Sequence, residues 1–252
     1  MGLLREVEPS SGRLMAIGDI HGCLPELSAL LAHLEIEEAW GPDDRVVFIG
    51  DYIDRGAESR GVVERLIAFK KRFPNSIFLR GNHEEMLLSF LGFEGAHGEF
   101  YLRNGGSDTL LSYGLAADQD AVTVRKQIPM AHLEFLRTTE MGVIIGPGIF
   151  VHAGLHPLKE LEKQTPEDLL WIRDEFVQNI HKFEKTVVFG HTPYWQVFLN
   201  LPYKVGIDTG CVYDNVLSAL DISGQRILQV KRGETQVKIT PLTSVADSEE
   251  SG

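Results

Sequence analysis

Arg45-Val-Val-Phe-Ile-Gly-Asp-Tyr-Ile-Asp-Arg-Gly56 joins a β-branched apolar run to a cluster of charged side chains. Arg45 to Ile49 reads as a buried strand, and Gly50 ends it before Asp51, Asp54 and Arg55. The same arrangement occurs on either side. Upstream, the apolar stretch Arg13 to Ile17 runs into Gly18-Asp19-Ile-His21-Gly22, and downstream Ile77 to Leu79 leads to Gly81-Asn82-His83-Glu84. Between them, Pro25 to Leu34 and Gly61 to Phe73 repeat apolar residues at helical spacing, with Pro25 in a first turn that tolerates it. The order is β-α-β-α-β, the pattern of an α/β sheet with covering helices. In such sheets reactive groups collect at the carboxyl ends of the strands, and all three polar motifs begin there.

The second half supplies more apolar runs with tight turns. Gly146-Pro147-Gly148 reads as a hairpin turn between Val143–Ile145 and Ile149–Val151. Thr186–Phe189, Lys204–Ile207, Val216–Leu220 and Ile227–Lys231 are further strands, and Pro129 to Arg137 is a helix. Three more polar motifs fall at strand ends or turns: His152-Ala-Gly, Gly-His191-Thr and Asp208-Thr-Gly. The expectation is two sheets facing each other in one domain over residues 13–232, with the motifs meeting along one edge. Residues 1–12 read as an N-terminal extension and 243–252 as a disordered acidic tail. The glycine-rich stretch from Phe90 to Gly114 reads as short helices and turns laid over the sheet, with residues 92–106 shaping the entrance to a site.

A net charge of −12 argues against a long nucleic-acid groove, which needs clustered Lys and Arg. Lys70-Lys71-Arg72 ends a helical segment and complements its dipole. No run approaches the roughly 18 apolar residues of a membrane span, and the first ten residues lack the apolar core of a signal peptide. Cys23 and Cys211 are too few for a disulfide framework, which argues for a reducing compartment, the cytoplasm. Cys23 reads as a small buried filler and Cys211 as a bystander near the site.

Together the motifs offer carboxylates, imidazoles and one carboxamide, and no thiolate. That donor set suits a pair of divalent or trivalent first-row metals. Two metals about 3.5–4 Å apart activate a water and neutralise a phosphate, the requirement for hydrolysing a phosphate ester. Asp51 is the natural bridging carboxylate. Asp19 and His21, two residues apart in one turn, can face one metal, and Asn82, His152 and His191 can complete the other. A serine or threonine alkoxide is a strongly basic leaving group and needs a proton, for which His83 is placed, with Asp54 holding its imidazole. Arg55 can make a planar fork to phosphate oxygens. His33, His97, His132, His156 and His181 read as structural, with His156 close enough in sequence to His152 to support it. Trp40, Trp171 and Trp195 read as packing.

Gly50 to Gly56 and Leu79-Arg-Gly-Asn-His-Glu84 resemble the signatures of the phosphoprotein phosphatase family of calcineurin-like metallophosphoesterases, in its short bacterial and phage form. The similarity runs from about Arg13 to Leu220. It implies a four-layer fold, two facing mixed β-sheets flanked by helices. It also implies that Asp19, His21 and Asp51 bind one metal, and that Asp51, Asn82, His152 and His191 bind the other. His83 and Asp54 become the acid pair, and Arg173 a second phosphate-clamping arginine beside Arg55. The segment Asn104 to Gly114 is also similar to bacterial members. Manganese is the metal the resemblance points to, with iron or zinc as alternatives that the ligand types accept equally. The implied function is a protein serine/threonine phosphatase acting on a phosphoprotein or phosphopeptide. The alternative is hydrolysis of a small nucleotide, diadenosine tetraphosphate, at the same metal site. A nuclease lacks support from charge, and a non-catalytic scaffold would be expected to lack ligands that are all present here. After Asp208-Thr-Gly the chain reads Cys211-Val-Tyr-Asp-Asn215, where bacterial relatives often have a glycine-rich turn. The extensions that bind regulatory subunits have no counterpart. Oligomeric state is not legible in the sequence.

Overall fold

The computed structural model describes residues 2–242. In chain order its elements are β1 (Leu4–Val7), β2 (Leu14–Ile17), α1 (Leu24–Ala32), β3 (Arg45–Phe48), α2 (Ser59–Arg72), β4 (Ile77–Phe78), α3 (Asn82–Phe90) and α4 (Gly106–Ser112). They continue with α5 (Ala121–Gln127), α6 (Met130–Arg137), β5 (Gly142–Ile145), β6 (Gly148–Val151), α7 (Pro166–Trp171) and α8 (Asp174–Val177). The chain closes with β7 (Thr186–Phe189), β8 (Phe198–Asn200), β9 (Lys204–Gly206), β10 (Val216–Asp221), β11 (Arg226–Lys231) and β12 (Val237–Pro241).

The strands form two six-stranded mixed sheets, in the orders β1-β5-β6-β7-β9-β8 and β12-β11-β10-β2-β3-β4. The period-2 alternation of a strand explains how they stack. In β2, Met15 and Ile17 face the helices while Ala16 faces the other sheet. In β3, Val46 and Phe48 likewise point to the helices and Val47 inward. One core therefore lies between the sheets, where Ala16, Val47, Val143, Phe150, Val188 and Leu220 meet. A second lies under α1, α2, α3 and α6, where Leu27, Leu30, Leu31 and Leu34 repeat at helical spacing. A third, around Leu169, Phe176 and Phe189, packs α7 and α8 on the opposite face. Helices, sheet, sheet and helices make four layers, as expected.

The domain limits expected at 13 and 232 fall short of the sheets. β1 pairs in parallel with β5, and β12 pairs antiparallel with β11. Both are edge strands of half-exposed residues, so neither carries the apolar run that marks a buried strand. Residues 243–252, read as an acidic tail, lie outside the described residues. Among the described residues no helix is long and apolar enough to cross a membrane.

Candidate metal centre

β2, β3 and β4 run parallel, so their carboxyl ends, and the three motifs that follow, emerge on one side. β6 and β7, parallel to each other in the facing sheet, end just before His152 and His191. The turns interlock by backbone bonds. The Ile20 and His21 amides both donate to Asp51 O (3.0 and 2.8 Å), and Gly22 N donates to Tyr52 O (3.0 Å). A Cβ on Gly56 would stand 2.0 Å from His21 O, and one on Gly81 would stand 2.1 Å from Asp51 Oδ1, so both approaches demand glycine.

Glu84, named in a motif but given no role by sequence reading, organises the second turn. Its carboxylate accepts the N–H groups of Asp51 (2.8 Å), Tyr52 (2.8 Å) and Gly81 (2.9 Å). Burial and the charge of Asp51 push this carboxyl up to about 8, against those donors. His21, Asp51, Asp54, Arg55 and His191 all adopt positive φ, at 44°, 51°, 72°, 67° and 63°. Non-glycine residues rarely do so, and such strain persists where the surroundings fix it, as they do at binding sites.

The donors converge as a bridged pair of clusters. Asp51 presents Oδ2 to His21 Nε2 (3.3 Å) and Oδ1 to His152 Nε2 (3.5 Å), one oxygen to each side. His21 Nδ1 donates to Ile53 O (2.8 Å) and His152 Nδ1 to Ile49 O (2.9 Å), since a carbonyl can only accept. In the neutral imidazoles Nε2 is then a lone pair turned into the site. His152 Nε2 faces Asn82 Oδ1 at 2.9 Å, and His191 Nδ1 meets the same oxygen at 3.0 Å. Asp19 Oδ2 accepts the His191 amide (3.1 Å), while Asp19 Oδ1 and His191 Nε2 are buried with no hydrogen-bond partner among the described residues.

Charge sharpens this picture. Burial pushes the Asp19 carboxyl well above the usual range, and Asp208 and Asp51 add to it. Burial also opposes ionisation of Asp51, but the imidazoles of His152, His83 and His21 outweigh it and hold that carboxyl well below its usual value. Burial lowers His152 and, with His152 and Arg173 adding to it, lowers His191 strongly. Buried carboxylates, neutral imidazole lone pairs and orphaned acceptors turned to one place are what a divalent cation relieves. The residues present fit a metal pair.

The remaining expected residues lie around these clusters. His83 Nδ1 is 2.7 Å from Asp54 Oδ2, with both side chains buried, and the His83 ring stands edge-on to His21 with centroids 4.7 Å apart. Asp54 is itself held by Thr109, whose hydroxyl donates to Oδ1 at 2.6 Å, so the segment similar to bacterial relatives acts on the Asp54 side. Arg55 Nη1 is 2.6 Å from His21 Nε2, and Arg173 Nη1 donates to His191 O (2.9 Å), so the two arginines flank the clusters from opposite ends. Asp208, left out of the expected ligands, is buried, its charge helps raise the Asp19 carboxyl, and its own carboxyl is pushed up by burial. Residues 92–106 reach the site through Gly105, whose carbonyl accepts the Arg55 amide (3.2 Å), and through His97, whose ring lies 4.6 Å from that of Trp171. His156 does not support His152; it contacts Gln164 and Glu175 instead. Trp195, expected to pack, is 77% exposed.

The calcineurin-like phosphoesterase pattern matches residues 12–216. The serine/threonine-protein phosphatase 2 of Salmonella typhimurium is 30% identical over 236 residues, covering 88% of this chain and all of that protein. The asymmetrical bis(5′-nucleosyl)-tetraphosphatase PrpE of Oceanobacillus iheyensis is 28% identical over 226 residues, 81% of this chain and 86% of that one. Among solved structures, a candidate diadenosine tetraphosphatase superposes with a TM-score of 0.68 at 24% identity, over 92% of this chain and 98% of that one. A Saccharomyces cerevisiae protein serine/threonine phosphatase gives 0.57 at 16% identity, over 95% and 83%. The chain belongs to the calcineurin-like phosphoesterases.

Proposed function

We propose that the protein is a metal-dependent phosphomonoesterase that removes phosphate from phosphoserine and phosphothreonine in proteins. Asp19, His21 and Asp51 hold one metal, and Asp51, Asn82, His152 and His191 the other, with Asp51 shared. When bound, the pair supplies an acidified water and neutralises phosphate charge. Manganese is the proposed metal, with iron or zinc accepted by the same donors. Arg55 and Arg173, standing at opposite ends of the clusters, grip the phosphate oxygens and orient the ester.

The observation that carries the reading is the His83–Asp54 contact of 2.7 Å between two buried side chains. Asp54 fixes the imidazole, and His83 delivers a proton to the departing oxygen. An alkoxide leaving from serine or threonine is strongly basic and needs that proton. A nucleotide leaving through a phosphate oxygen is a far weaker base and needs it little.

The relatives favour a second reading, hydrolysis of bis(5′-nucleosyl) tetraphosphates, because such enzymes align over most of this chain. Steady-state rates on a phosphoserine peptide and on diadenosine tetraphosphate, measured with manganese, separate the two. Preference for the peptide is expected; a preference for the dinucleotide of about 10²-fold or more in kcat/KM, about 2.7 kcal/mol of transition-state binding, would replace the first reading with the second.

A further inference from the structure

Outside the metal centre, one more cluster of metal-ligating or redox-active side chains is buried among the described residues. Cys23, Glu26 and Cys211 bring their donor atoms within 4.8 Å of one another. These are the chain's two cysteines. A third metal is poorly served there, because Glu26 is already committed. Its Oε2 accepts from Arg232 Nη1 at 2.8 Å and its Oε1 from the Gly233 amide at 2.7 Å, so a cation would meet a guanidinium. What remains is a pair of thiols facing each other in the interior, 0% and 2% exposed.

Their positions in the chain give the pair its meaning. Cys23 lies two residues after His21, immediately before α1, and its thiol points at His21 O, 3.6 Å away. Cys211 opens a single turn, Cys211–Tyr213, set between two left-handed residues, Gly210 (φ 66°) and Asp214 (φ 64°). That turn follows Asp208, and its exposed Tyr213 ring lies 5.7 Å from the Arg55 guanidinium. The thiols therefore join the turn that carries His21 to the loop that borders Arg55.

We infer that Cys23 and Cys211 form a reversible disulfide that tightens these two loops across the metal centre and slows phosphoester hydrolysis. Two S–H bonds break and one S–S bond forms. The two protons and two electrons pass to a thiol oxidant, either a small disulfide, which leaves as two thiols, or a diazene, which leaves as the hydrazine. A disulfide holds its sulfurs about 2.0 Å apart, closer than any nonbonded sulfur contact, so forming it must draw the loops together. The movement has a direct route to the reacting groups. The Cys23 turn is hydrogen-bonded onto the Asp51 turn through His21 N and Gly22 N, and the Cys211 turn rests against Arg55. In a reducing compartment the thiols are the resting state and the disulfide a transient one.

The test uses full-length, metal-loaded protein treated with diamide, a diazene. Peptide mapping without reductant should find Cys23 and Cys211 cross-linked, two hydrogens lighter than the thiol form. Turnover of p-nitrophenyl phosphate should fall with the cross-linked fraction, on the order of tenfold to 10²-fold, the cost of a misplacement near an ångström. Dithiothreitol should reverse both changes. Cys211→Ser should keep its basal turnover and ignore diamide, with Cys23→Ala repeating the comparison should that variant fold poorly. Failure to find the cross-link after exhaustive oxidation overturns the inference. So does a cross-linked protein with unchanged turnover, or an equal loss in Cys211→Ser, which would place the oxidation at the metals.

Discussion

Nδ1 of His83 lies 2.7 Å from Oδ2 of Asp54, with neither side chain reached by solvent. The second oxygen of Asp54 accepts the Thr109 hydroxyl, and its amide meets Ser59 Oγ at 3.0 Å, so the carboxylate cannot turn away. The imidazole is thereby held with Nε2 as its working nitrogen. Replacing the carboxylate with an amide offers Nδ1 a donor as readily as an acceptor and so favours the wrong tautomer.

His83→Asn should lower kcat on a phosphoserine peptide by about 10²–10⁴-fold, the usual worth of a positioned acid. The loss should be smaller on p-nitrophenyl phosphate, whose leaving phenolate hardly needs a proton, and Asp54→Asn should keep that order. Equal losses on both substrates would remove His83 from the protonation step.

Asp51 divides its two oxygens between His21 and His152. An amide keeps one good metal-binding oxygen and loses the bridge and the charge. Asp51→Asn should therefore hold fewer metals per chain and lose hydrolysis, while circular dichroism stays near wild type. Metal analysis after gel filtration checks it; full stoichiometry in the variant would mean that the bridge lies elsewhere.

Where apolar runs stop at polar clusters the sequence was an adequate guide. β2, β3 and β4 ended close to where Ile17, Ile49 and Leu79 suggested, because a buried strand must be apolar and its end must not be. β1, β8 and β12 are not legible for the opposite reason: their half-exposed residues form no apolar run, and of the three only β1 depends on a partner far along the chain, while β8 and β12 pair with the strand next to them in sequence. The ligand types were legible at each motif, but their meeting was not, since His152 and His191 reach Asn82 across 70 and 109 residues. Glu84 went unassigned because its work is accepting backbone amides, which no side-chain pattern announces. The left-handed backbone at Asp51, Asp54 and Arg55 was equally silent, as none of these is glycine.

Asp168 closes the start of α7 and offers a pH test of the region that carries Arg173. Its carboxylate accepts the Thr165 amide and hydroxyl (2.8 and 2.7 Å) and the Lys159 ammonium (2.6 Å). Burial opposes ionisation, but Lys159 and Thr165 outweigh it and hold the carboxyl below its usual value. A depressed carboxyl stabilises the fold fully above its unfolded pKa of about 3.9 and loses that contribution as pH falls through the folded value. Asp168→Asn should thus cost about 1 kcal/mol near neutral pH, in the range of a lost cap. The gap in Tm between the two proteins should close under acid; a gap unchanged down to about pH 2 would show that ionisation of Asp168 contributes nothing.

Lys204 anchors the other end of the same region. Its ammonium is buried and donates to the carbonyls of Phe176 (2.6 Å), Val177 (3.1 Å) and Asn179 (2.5 Å), which closes the carboxyl end of α8. Arg173 immediately precedes α8, so the lysine fixes the helix from which that guanidinium reaches His191 O. Lys204→Met keeps much of the volume and strands three carbonyls. The variant should lose roughly 1–3 kcal/mol in urea unfolding, the cost of buried acceptors left without donors. Because Arg173 is proposed to grip phosphate, a loosened α8 should raise KM and weaken inhibition by inorganic phosphate more than it lowers kcat. A variant that is destabilised but keeps wild-type KM and phosphate inhibition would confine Lys204 to stability and separate α8 from substrate binding.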